Sequence, residues 1–196
     1  MLNRTSASSL EFGALTNGGS GFNYGVEITA EKFMDKGIYF LSTFSLFESK
    51  YRGSDNVLRN TAFNGNYVFN LLGGKEFRLG AGNGRYKKRL NVDGKFNLAG
   101  GKRYSPIDLD ASRFIGYTQY DETRAYSLQM PMYMNINMRA GIKFIGKSST
   151  QEIAATINNL TNRKNPFYMK YNPATDGLKT VYQFGLMPDI LYRVVF

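Results

Sequence analysis

Four carboxylates crowd one stretch of the chain, Asp108, Asp110, Asp121 and Glu122. Paired carboxylates can share a proton for acid/base work or wrap a calcium ion. Their spacing fits no EF-hand, and a solvated loop is the plainer expectation. The run "GAGNGRYKKR" (80–89) gathers glycines and cations as a phosphate cradle would. It lacks the G-x-x-x-x-G-K-[ST] order and no helix follows, so a tight turn is expected. "YKKR" and "GGKRY" resemble basic–aromatic nucleic-acid patches. They read instead as a turn that is solvated or meets lipid headgroups, and as a loop entrance, with no nucleic-acid partner. Asn159-Leu160-Thr161 matches the glycosylation sequon. The chain contains no cysteine and no histidine. Disulfides, thiolate chemistry, most zinc sites and the usual neutral-pH proton carrier are thereby excluded. Any catalysis would have to rest on carboxylates, lysine, serine or tyrosine; with the barrel reading given below, no enzymatic activity, cofactor or metal site is expected.

The elements that would position these residues follow a period of two. In "QFGLMPDILYRVVF" at the C-terminus, Phe184, Leu186, Pro188, Ile190, Tyr192, Val194 and Phe196 share one face, while Gln183, Asp189 and Arg193 share the other. Met132, Met134, Ile136, Met138, Ala140, Ile142 and Phe144 oppose Tyr133, Asn135, Asn137, Arg139 and Lys143 in the same way. So do Leu90, Val92, Phe96 and Leu98 against Asn91, Asp93, Lys95 and Asn97, and Phe22, Tyr24, Val26 and Ile28 against Asn23, Glu27 and Thr29. The frequent Gly, Tyr and Phe and the scarce Pro suit strands joined by tight turns.

Seven strands are expected, over 21–34, 37–50, 63–79, 89–101, 130–146, 150–171 and 178–196, the sixth carrying a bulge at its Asn-Pro. Residues 1–20 read as the remnant of a loop. Connections alternate between short (35–37, 80–88, 146–149) and long (51–62, 101–129). Asn83-Gly84 is the strongest hairpin signal.

Alternation does not say which face is wet. A soluble barrel turns its apolar face inward and a membrane barrel turns it outward. A 19-residue strand reaches about 60 Å, far beyond the usual soluble strand. Short turns at one end, long loops at the other and aromatics near the ends of the apolar stripes fit an outer-membrane barrel. There is no run of 18 apolar residues, and the +10 net charge reads mostly as solvation of loops and turns.

The segments "NYGVEITAEKF", "KGIYFLSTFSLFESKYRGSDNVLRNTAFNGNYVFNLLGGKEF", "GGKRYSPIDLDAS", "YDETRAYSLQMPMYMNINMR" and "VYQFGLMPDILYRVVF" resemble the C-terminal barrel strands of TonB-dependent outer-membrane receptors. The resemblance runs over about residues 10–196. It implies an all-β, antiparallel, up-and-down transmembrane β-barrel segment, about seven C-terminal strands of a roughly 22-stranded whole. No plug, TonB-box or signal peptide is read in the chain. In the family the barrel serves nutrient uptake. Implied partners are outer-membrane lipid, the barrel-assembly machinery, the remaining barrel and plug, and TonB only through an N-terminal region. The resemblance also implies that a C-terminal aromatic and the alternate apolar residues before it form a barrel-assembly signal, here Ile190, Tyr192, Val194 and Phe196. Asn135, Arg139, Lys143 and Arg193 are candidates for facing the lumen. Two other readings remain open: a small self-contained outer-membrane barrel with a structural or adhesive role, and a soluble barrel holding an apolar ligand.

Overall fold

The computed structural model describes residues 18–80 and 87–196. Its backbone is one long antiparallel meander with an ordered superstructure of loops at one end. The meander is built from β1 (Ser20–Asp35), β2 (Ile38–Arg52), β4 (Tyr67–Leu79), β5 (Lys87–Ala99), β8 (Tyr133–Ile145), β9 (Thr150–Asn158) and β12 (Met187–Val195), in that order across the sheet. A short β3 (Leu58–Asn60) adds to the loop end of β2. β6 (Arg103–Tyr104) pairs with β7 (Leu128–Gln129), and β10 (Pro166–Asn172) with β11 (Gly177–Tyr182), outside the main sheet.

Turn chemistry fixes the register at the short end. Lys36 and Gly37 both take positive φ (50° and 80°), closing β1 onto β2 with the handedness a two-residue hairpin needs. The Gly146 N–H donates to the Ser149 carbonyl (2.9 Å) and closes β8 onto β9. Asn83-Gly84 lies outside the described residues. The strands on either side of it pair from Leu79 opposite Lys88 to Val68 opposite Ala99.

Three expectations need correction. The strand expected over 150–171 ends at Asn158. A connector over 159–165 leads into β10, which leaves the sheet to pair with β11. The strand expected over 178–196 is broken likewise, into β11 and β12. The expected bulge is therefore a complete break in both strands. Residues 63–66, expected in the third strand, form a turn before Tyr67. The loop over 101–129 holds a helix, α1 (Leu109–Ile115), which Asp108 caps by accepting from the Ala111 N–H (3.0 Å) and Gly116 ends in the left-handed conformation.

Register sorts the sheet into two faces. On one, Ile28 lies opposite Phe44, Phe44 opposite Phe69, Leu71 opposite Phe96, Phe96 opposite Ile136, Ile142 opposite Ile153 and Ile153 opposite Tyr192. This apolar face is continuous across the seven strands, and the described residues leave it uncovered. Ile28 is 65 % exposed and Ile190 81 %. The side chains most completely buried are polar, Asn64, Asn165 and Ser112. Those three lie in the loops and α1. A soluble domain buries its large apolar side chains; this sheet leaves most of its own exposed. Among the described residues β1 and β12 form its two edges and do not pair with each other. No described helix is long and apolar enough to cross a membrane.

Candidate functional site

The opposite face is polar, and its side chains are tied to one another across strands. The centre is a relay over four strands. The Tyr39 hydroxyl donates to Asp93 Oδ1 (2.6 Å). Asp93 Oδ2 faces Arg139 Nη1 (3.5 Å), and Arg139 Nη2 donates to Glu152 Oε1 (2.5 Å). Glu152 is 5 % exposed, so its charge depends on Arg139 for a counter-ion. Gly74 makes room for the relay: a Cβ there would lie 2.7 Å from the Tyr39 ring and also meet Asp93 Oδ1.

Towards the short turns, Glu76 pairs with Arg89. The Asn91 amide sits between two charges, and in one orientation it donates to Glu76 Oε2 (3.3 Å) and accepts from Lys143 Nζ (3.3 Å). Towards the loops, the Asn97 amide donates to Asn70 (2.5 Å), whose own amide donates to the Thr43 hydroxyl (3.2 Å). The Asn135 amide donates to the Tyr133 hydroxyl (3.0 Å). Tyr39, Glu76, Asn91, Asp93, Arg139 and Lys143 help to line a shallow basin of about 440 Å³.

Asn135, Arg139 and Lys143 alternate along β8 on this polar face. Arg193 joins them, because its register partner is Glu152. All four thus share the polar face of the sheet. Ile190, Tyr192 and Val194 occupy the apolar face of β12, an edge strand, and Phe196 follows that strand almost fully exposed (99 %). The sequence reading missed Tyr39, Glu152, Asn70 and Gly74. The signal for them is positional: once short turns fix register, the polar residues of neighbouring strands fall opposite one another.

At the loop end a second group of contacts holds the connections together. Asn64 is fully buried. Its side chain accepts from the Ser49 N–H (3.0 Å) and donates to Asn60 (2.8 Å), while its carbonyl accepts from Arg103 Nε (3.1 Å). The Asn165 side chain accepts from the Met134 N–H (3.2 Å) and donates to the Met134 carbonyl (2.8 Å), standing in for a strand. Asn159 is 3 % exposed, and its amide donates to the Arg163 and Phe184 carbonyls, so the sequon asparagine is occupied structurally.

The four loop carboxylates do not converge. Asp108 and Asp121 are caps, and Asp110 pairs with Arg113. Hydrogen bonds from Thr123 and Arg124 hold the Asp121 carboxyl down at about 2. Arg113 Nε also donates to Asp176 Oδ1 (2.8 Å), as does the Tyr171 hydroxyl (2.9 Å). These bonds, with that from Arg113 dominant, hold the Asp176 carboxyl below its usual range, while burial pushes the Tyr171 phenol up. The Tyr171 N–H donates to the Thr118 hydroxyl (2.9 Å), so the β10–β11 hairpin is fastened to the loop that carries α1. No group of three acidic, His or Cys side chains among the described residues could hold a metal ion.

The chain matches no family model, no curated protein and no solved structure.

Proposed function

We propose that this chain is wall and loop of an outer-membrane β-barrel of the TonB-dependent receptor type, with a role in nutrient uptake and no chemistry of its own. The observation that carries the reading is the inverted polarity of the sheet. Its apolar face is continuous and uncovered, while its polar face is internally bonded. In water such a face would aggregate; against lipid chains it is at home. The polar face would line the lumen and meet the plug, with Asn135, Arg139, Lys143 and Arg193 among its contacts. The two unpaired edges, β1 and β12, would continue into further barrel strands. Ile190, Tyr192, Val194 and Phe196 would serve the assembly machinery as a strand that adds to a sheet edge.

The test is fractionation. The chain is expressed with a secretion signal, alone and together with the strands that would complete the barrel. The reading expects a heat-modifiable, protease-protected species in the outer membrane. Recovery in the soluble periplasmic fraction, monomeric without detergent, would overturn it.

A further inference from the structure

The apolar face is bounded by charge at both ends, and the two ends differ. At the loop end Glu48 and Lys50 pair with each other (2.9 Å) and cancel, which leaves the single cation Arg52, bonded to Asn56 Oδ1 (3.4 Å). At the short-turn end three lysines share the face. Lys32 lies opposite Phe40, Lys75 opposite Ile38 and Val92, and Lys88 opposite Leu79 and Phe144. Each stands near the short-turn end of its strand, which is Asp35 in β1, Leu79 in β4 and Lys87 in β5. All three are exposed, and none forms an ion pair among the described residues. Asp35, opposite Ile38 beside the turn, is the one described acidic residue on this part of the face. Two of the ammonium groups rest over rings of the same face, Lys75 over Phe77 (4.9 Å to the centroid) and Lys88 over Phe144 (5.9 Å).

From this placement we infer that the short-turn rim of the apolar face is a binding belt for anionic phospholipid, with Lys32, Lys75 and Lys88 meeting the headgroup phosphates. The inference rests on the membrane reading above. A lysine on a lipid-facing surface lays its stem along apolar side chains and carries its ammonium to the interface. There the nearest abundant counter-charge is the phosphate of the lipid whose chains cover Phe77, Phe144 and Ile38. A headgroup with net negative charge is preferred over a zwitterionic one, because a zwitterion brings its own cation to the same depth.

The full chain is refolded into phosphatidylcholine bilayers containing trace spin-labelled phosphatidylglycerol or spin-labelled phosphatidylcholine. The motionally restricted fraction is then read by electron paramagnetic resonance. The expected result is about fivefold selectivity for the anionic lipid at low salt, collapsing at 1 M salt on the order of a 3 Å screening length. Substituting Lys32→Gln, Lys75→Gln and Lys88→Gln together abolishes it, while Lys95→Gln on the opposite face leaves it intact. Equal restriction of both lipids, or selectivity that survives the triple substitution, overturns the belt while leaving insertion standing. No restricted component at all overturns insertion, and the belt with it.

Discussion

Arg139 reaches Glu152 at 2.5 Å although its register partner on β9 is Thr156. Lys143, which does lie opposite Glu152, is left to Asn91. The diagonal lets one guanidinium serve carboxylates on both neighbouring strands, Asp93 on β5 and Glu152 on β9. Its planar fork of donors suits this better than an ammonium would.

Replacing Arg139 with Met therefore strands a buried carboxylate. The expected loss is about 3 kcal/mol, read from denaturant unfolding of the micelle-refolded chain. Adding Glu152→Leu recovers part of that loss, since the more deeply buried carboxylate is gone while Asp93 still lacks its guanidinium. If the single substitution proves neutral, the relay contributes nothing to the stability of the sheet.

Gly74→Ala attacks the same relay sterically. The new methyl meets the Tyr39 ring and Asp93, both fixed by their mutual bond. The expected cost is about 1–3 kcal/mol, and Tyr39→Phe in the same background lowers it, because the ring is then free to turn away.

Much of the sheet was legible from alternation alone. Val92, Phe96, Met138, Ile142 and Tyr192 fall on the face that period two assigns them, because a half-buried strand has only two sides. The breaks after Asn158 and Tyr182 were not legible. The polar run over 159–165 reads as a bulge within one strand and alternation continues past Tyr182, whereas what ends the ladder is a set of distant amides. Asn165 bonds Met134, thirty-one residues away, and nothing local to either announces it. α1 escaped for the opposite reason: seven residues are too few for a helical period to stand out. Its Asp108 cap and Gly116 stop are readable once the helix is known.

Asn64→Ala removes the hub beneath the loops. Amide exchange in 53–66 and 100–104 should rise roughly tenfold or more, in line with a local cost of about 1–3 kcal/mol. Exchange at Phe96 and Ile136 stays unchanged, since those strands keep their ladders. Uniform acceleration across the sheet would contradict this.

The link between Arg113 and Asp176 is pH-dependent in one direction. A carboxyl held below its ordinary value of 3.8 stabilises the closed arrangement fully above that value. The contribution is lost as pH falls through the lowered folded value. A spin-label distance between positions 115 and 175 therefore holds constant from pH 7 to about pH 5 and lengthens only in stronger acid. Asp176→Asn abolishes that acid step. The pair is exposed, so the effect is local and weakens with salt.

Phe196 separates folding from delivery. Its side chain contributes almost no packing, so Phe196→Ala leaves unfolding in micelles within about 0.5 kcal/mol of the parent. Outer-membrane yield in cells falls several-fold if the residue is read by the assembly machinery. Unchanged yield would assign Phe196 to the lipid interface alone.

The double break at 159–165 and 183–186 divides labour along one pair of ribs. Below it, β9 and β12 keep step through Ile153–Tyr192 and Ala155–Ile190; above it, β10 and β11 keep their own count. A residue gained or lost in the upper hairpin is absorbed in the connectors and leaves the register of β9 and β12 unchanged. The loop end can thus be rewritten by insertion, deletion or grafting at little cost to the sheet, which frees one end of the molecule to change faster than the other.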